Sequence, residues 1–209
     1  MEFKKIVTNI KSRNFYSKFI LNISMIYNII WAICKIIFGT FTSGYFFCIS
    51  GASTLLFGFI KRVYLKNFNS EDETEKRTKS IIILVMLILS SLFFTIFMAR
   101  LFFINDDKQY GLILSIAIAT CSFTELGFSL YNYFKARKSN DILLKAFKTC
   151  SLSSSLFAIV LTQIALLSAT NTPSNLNNAI TGVLFGAISI TIATVTLIKI
   201  CKTPIKLSD

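Results

Sequence analysis

Apolar residues in this chain do not alternate with polar ones; they run in long blocks separated by short polar connectors. A helix needs about 20 consecutive, mostly apolar residues to cross the hydrocarbon of a bilayer. Six blocks approach or exceed that length, at approximately 19–42, 44–60, 80–104, 110–134, 142–170 and 178–199. The pattern predicts an all-α membrane protein, a six-helix transmembrane bundle making one integral membrane domain over 1–209. The first block is longer than the apolar core of a signal peptide. No small-x-small cleavage pattern closes it, so it reads as a retained first helix. The one long connector, "NFNSEDETEKRT" at 67–78, mixes both charge signs and reads as a solvated, mobile loop.

Composition agrees. Hydrophobic residues fill 54% of the 209 positions and there are only two prolines, more apolar surface than a soluble domain of this length needs. The formal net charge of +12 would suggest nucleic acid if the chain were soluble. Its distribution argues otherwise. Apart from Lys35, Arg100 and Lys108, every lysine and arginine lies before the first block, near the connector at 61–79, around 135–148, or after the sixth block. Such alternating bias predicts a multi-pass cell-membrane protein with N- and C-termini cytoplasmic, and it accounts for the basicity without nucleic acid. Abundant isoleucine, lysine and asparagine suggest a low-GC bacterial coding sequence.

Candidate chemistry is sparse. The five cysteines stand singly with no CxxC, and histidine is absent. A histidine-based metal site or proton relay is thereby excluded, and no metal or cofactor is expected. With no phosphate-cradling glycine loop and one deep carboxylate, general acid–base chemistry lacks a second member, so no enzyme is expected.

Polar residues inside the blocks carry more information, because in lipid they must face other helices or a cavity. In the fourth block Ser115, Ser122, Glu125, Ser129 and Asn132 fall on one helical face. Glu125 lies about 15 Å above the cytoplasmic end, so it is either paired with a cation or protonated. In the fifth block Lys148, Ser151, Ser155 and Thr162 line another face. Lys148 either reaches toward Glu125 or snorkels to the cytoplasmic headgroups. Gly182 and Gly186 form a GxxxG continued by Ser189 and Ala193, a stripe that permits close helix approach within the bundle or in a homodimer. The third block, "IIILVMLILSSLFFTIFMA", is nearly all apolar and reads as the more lipid-exposed helix, with Arg100 snorkelling at its outer end.

Asn28, Lys35 and Gly39, followed by Ser43-Gly44 and a second helix after almost no loop, form a layout similar to the first two helices of the cation diffusion facilitator transporters. "SNDILLKAFKTCSLSSSLFAIVLTQIALL" resembles that family's fifth helix and "NLNNAITGVLFGAISITIATVTLIK" its sixth. The resemblance covers most of the chain and implies the family's six-helix transmembrane fold. In the family an ADxxHxxxD pattern on the second and fifth helices supplies the metal ligands. At those positions this chain has Ser50, Ser53, Thr54 and Phe57, then Lys148, Ser151 and Ser155. Serine hydroxyls are poor zinc ligands and a lysine repels a dication. The resemblance would also lead one to expect a cytoplasmic metal-binding domain after the sixth helix, and none follows in this sequence. An ordinary zinc exporter is not expected.

Two functions remain. One is a small-ion or small-solute carrier on a degenerate cation-diffusion-facilitator-like scaffold, with Glu125, Lys148, Ser50, Thr54, Ser151 and Ser155 as the candidate transport residues. The other is a non-transporting partner subunit or immunity-type protein whose polar seam only packs helices. Its partners would be the lipid bilayer and an unknown solute or protein. Lys35, two turns before the outer end, reads as snorkelling to the external headgroups.

Overall fold

The structure is a computed structural model. It describes residues 19, 22–23, 25–26, 28–37, 40, 45–67, 72–103, 112–138, 141–170 and 175–202. Within the helices, the side chains at 45–50, 114, 117, 118, 121, 125, 128, 135 and 168 lie outside the described set. So do Gly39, Ser43, Gly44 and Lys108, and the side chains of Ser50 and Glu125.

Every described segment of regular structure is helical: α1 (Asn28–Ile37), α2 (Tyr45–Asn67), α3 (Glu73–Arg100), α4 (Leu112–Arg137), α5 (Ile142–Ala169) and α6 (Asn175–Lys202). Three of them, α3, α5 over Ile142–Leu167, and α6, are long and apolar enough to cross a membrane. At 28 residues, α3 and α6 each span about 42 Å, more than the roughly 30 Å hydrocarbon core.

Two expectations for the long connector are corrected. Lys61, Arg62 and Lys66 lie on α2, which continues to Asn67. Residues 73–78, part of the stretch read from sequence as mobile loop, lie in the first two turns of α3. The reason is local. Asp72 caps the helix by accepting from the Thr74 N–H at 2.8 Å, and Glu73 and Glu75 place negative charge in its first turn. Ser80 and Thr78 return their hydroxyls to the carbonyls four residues earlier, Lys76 and Thr74. At the far end α3 unwinds through i→i+3 bonds from Leu101, Phe102 and Phe103 to Met98, Ala99 and Arg100. Asp141 caps α5 in the same way as Asp72, accepting from the Leu144 N–H at 3.1 Å.

Helix α5 is the hub: it packs against α2, α3, α4 and α6. Over half of its apolar window is buried, 56%, against 39% for α3 and 22% for α6. The other extensive pairing joins α3 to α6. Arg77 donates to the Cys201 carbonyl at one end, Ser91 and Ser189 share a 2.8 Å hydrogen bond in the middle, and Met98 meets Gly182 at the other end. The two helices are therefore antiparallel along their whole length. Ser115 donates to the Ala165 carbonyl at 2.8 Å, and Ser129 and Ser151 are 3.2 Å apart, so α4 and α5 are antiparallel as well.

The third helix, expected from composition to be the more lipid-exposed one, is more buried than α6 and less than α5. Its buried face runs Ser80, Ile83, Leu84, Leu87, Ser90, Ser91, Phe94 and Met98. Its exposed side is as apolar, with Ile82, Val85, Leu89, Leu92, Phe93 and Ile96. The serines are what distinguish the packed side. In lipid, hydrocarbon outside is as good a solvent for leucine as a neighbouring helix, so small and hydrogen-bonding residues mark the interface.

The aromatic core lies between α2, α3 and α5. Phe157 stacks on Phe94 with centroids 4.2 Å apart and approaches Phe57 at 6.3 Å, while Tyr64 stacks on Phe147 at 4.3 Å.

Candidate functional site

Among the described residues, those singled out from sequence lie at three helix interfaces: Lys35 and Thr54 between α1 and α2, Ser129 and Ser151 between α4 and α5, and Gly182 and Gly186 between α3 and α6.

The first interface joins α1 and α2. At Gly51 an added Cβ would fall 2.6 Å from Ile36 Cγ1 and 3.0 Å from the Ala32 carbonyl oxygen. Only a hydrogen lets the backbones approach this closely. Gly58, two turns on, meets Ile29 in the same manner. This approach brings Lys35 within reach of α2, and its ammonium donates to Thr54 Oγ1 at 3.3 Å. The same Nζ lies 6.0 Å from the Trp31 ring centroid. Instead of snorkelling outward as expected from sequence, Lys35 turns sideways into a partly buried polar contact. Of the other two scaffold positions, Asn28 begins α1 and is partly buried, and Gly39 lies outside the described residues.

A double-mutant cycle checks this contact. Thr54→Val should cost about 1–2 kcal/mol alone, the range for a hydrogen bond to a charged group. In a Lys35→Met background, where no charge needs an acceptor, the same change should cost clearly less. Thermal unfolding in detergent reads both; equal costs in the two backgrounds would show that the pair contributes nothing.

The second interface is the seam between α4 and α5. Ser115, Ser122, Ser129 and Ala136 recur every seven residues and are all buried. This is the face predicted from sequence, with Asn132 partly buried beside it. From α5, Ser151 meets Ser129, while Ser155 and Thr162 are buried with their hydroxyls bonded to their own helix, at the Leu152 and Ala158 carbonyls. The described register places the backbone of residue 125 level with residue 155. The Glu125 side chain is outside the described residues, and with it the choice between a Lys148 that reaches toward it and one that snorkels to the headgroups. The Lys148 ammonium lies 5.4 Å from the Phe147 ring centroid, within the reach of a cation–π contact.

Of the positions aligned with the family's metal ligands, Ser53 is buried, Thr54 serves Lys35, and Phe57 packs against Phe157. Ser151 and Ser155 belong to the α4–α5 seam, and the Ser50 side chain is outside the described residues. No group of three His, Cys, Asp or Glu side chains that could hold a metal ion occurs among the described residues.

Gly182 and Gly186 are occupied within the chain. A Cβ on Gly182 would strike Met98, at 2.6 Å from Cγ and 2.7 Å from Cβ, and one on Gly186 would strike the Thr95 hydroxyl. The glycine face is thus filled by α3.

Sequence reading missed three serines: Ser90, Ser91 and Ser153 are buried, Ser91 against Ser189 of α6, while Gly51 sits opposite α1. The signal for the serines was present: Ser90-Ser91 is the one hydroxyl pair interrupting the apolar run of α3. Compared with protein families, characterised proteins and solved structures, the chain matches no family model, no curated protein and no solved structure.

Proposed function

We propose that this chain is a multi-pass membrane protein, a six-helix bundle with both termini cytoplasmic, in which the polar seams join helices instead of conducting a solute. On this reading it works through contacts with another membrane component, as a partner subunit or an immunity-type protein. The observation that carries the proposal is the use of hydroxyls along the α4–α5 seam. Ser115, Ser129, Ser151, Ser155 and Thr162 each bond a carbonyl or another hydroxyl of the protein. A transport path needs groups that can exchange protein partners for solute; a seam of internally bonded hydroxyls is suited to packing. The membrane setting is supported by the three long apolar helices and by the cationic residues Arg77, Lys199 and Lys202 gathered at one end of the α3–α6 pair. The likeness to the cation diffusion facilitators remains a proposal about the scaffold only.

A second reading, a small-ion or small-solute carrier, rests on Glu125. Its backbone stands level with residue 155 of α5, and ionisable residues midway along a membrane helix commonly mark a pathway. Proteoliposomes loaded with proton-, sodium- and zinc-sensitive dyes separate the two readings. The packing role predicts fluxes equal to those of protein-free vesicles. A flux that disappears in Glu125→Gln would replace it with the carrier.

A further inference from the structure

Among the described residues, two buried hydroxyls have no hydrogen-bond partner, Ser90 Oγ and Ser153 Oγ. Ser90 is 6% exposed and Ser153 fully buried. The common solution for a helical hydroxyl is a bond to the carbonyl one turn earlier, as Ser80, Thr95, Thr149 and Thr162 make. Ser90 and Ser153 do not make it.

The helix registers bring the two together. Helix α3 is antiparallel to α6, as Arg77–Cys201, Ser91–Ser189 and Met98–Gly182 show. Helix α5 is also antiparallel to α6, since Thr149 meets Thr196 and Gln163 donates to the Asn177 carbonyl. Helices α3 and α5 are therefore parallel. Phe94 of α3 stacks on Phe157 of α5. Ser90 and Ser153 each precede their phenylalanine by four residues, one turn on the same helix face. That register sets them at the same level, one turn below the stacked rings. The α5–α6 register independently sets Ser153 at about the level of Ser189, whose hydroxyl is bonded to Ser91. Four serines from three helices thus form one layer, two paired and two unpaired.

No charged residue lies on α3 between Lys79 and Arg100, on α5 after Lys148, or on α6 before Lys199. A dication would need carboxylates and about six oxygen ligands. The chemistry available is that of neutral hydroxyls able both to donate and to accept. We infer that Ser90 and Ser153, beside the Ser91–Ser189 pair, form a buried site for a single water molecule that bridges α3 and α5 beneath the Phe94–Phe157 stack. A water with two to four polar partners is stably held inside a protein, and this layer supplies that number. The site is independent of whether the protein transports anything.

The experiment is X-ray hydroxyl-radical footprinting of the full chain in nanodiscs, in which radicals formed from bound water label adjacent side chains. Phe94 and Phe157 should be oxidised above the level of Phe93, which is 71% exposed on the outer surface of α3. In Ser90→Ala with Ser153→Ala their labelling should drop to the Phe93 level. No excess over Phe93 in the unmodified protein, or an excess that survives the double substitution, would overturn the site. A stability cycle gives a second readout: a shared water makes the two substitutions non-additive, the double costing about as much as one alone. Strict additivity would also overturn the inference.

Discussion

Gly186→Leu should separate α3 from α6 and lower the stability of the bundle by about 3 kcal/mol, the upper end of ordinary overpacking costs. A Cβ there already collides with the Thr95 hydroxyl and would lie 3.2 Å from Thr95 Cβ, and Thr95 is fixed by its own bond to the Ser91 carbonyl. The neighbour cannot swing away without breaking that bond, so the backbone must move. Moving it loosens the Ser91–Ser189 hydrogen bond one turn further along. Gly182→Leu should behave alike, because the obstacle includes Met98 Cβ, the rigid base of the side chain as well as its flexible end. Gly127 supplies the control. A Cβ there meets nothing within 4 Å, and Ala at this position should leave stability unchanged or raise it by up to about 1 kcal/mol through helix propensity. Thermal unfolding of detergent-solubilised protein compares the three. Equal melting of Gly186→Leu and Gly127→Ala would remove the glycine stripe from the account of what joins α3 to α6.

Phe157→Ala should be the most damaging truncation in the core. The ring is only 6% exposed, stacks on Phe94 and approaches Phe57, so it links α5 to both α3 and α2. Large-to-small changes of buried phenylalanine cost about 3–5 kcal/mol in soluble proteins, and about 3 kcal/mol is expected for this one. The lower end applies because helices separated in a bilayer remain in hydrocarbon. Loss of packing contacts then remains, without the cost of exposing the ring to water. Phe93→Ala, on the outer face of the same helix as Phe94, should change stability little. Unfolding in mixed micelles measures both, and similar losses for the two would mean that the aromatic junction does not hold the three helices together.

Much of the architecture was legible before any tertiary information. Block length and composition anticipated helices at every described block, and of the face read as Ser115, Ser122, Glu125, Ser129 and Asn132 the three serines are buried, Asn132 is partly buried and the Glu125 side chain lies outside the described residues. The start of α3 was missed because charged, loop-like residues at 73–79 gave no apolar period, although Asp72 followed by Glu73 and Glu75 is a helix-start signal. The candidate site was less legible. Helix periodicity reports which residues share a face, not which helix that face meets. Thr54 and Ser155 were therefore grouped as one site, whereas Thr54 serves Lys35 and the Ser155 hydroxyl is satisfied within α5.

By itself the sequence determined the secondary structure and the apolar length of three helices that could cross a membrane: long uncharged stretches favour helices, which satisfy every backbone polar group within their own segment. Only the tertiary structure decided which side of each helix is packed. In water, burial would have been written into the apolar stripe. In a bilayer both sides of α3 are apolar, and the choice rests on Ser90, Ser91 and the fit of Gly182 and Gly186 against Met98 and Thr95. Those contacts depend on register between helices far apart in the chain, which no local pattern encodes.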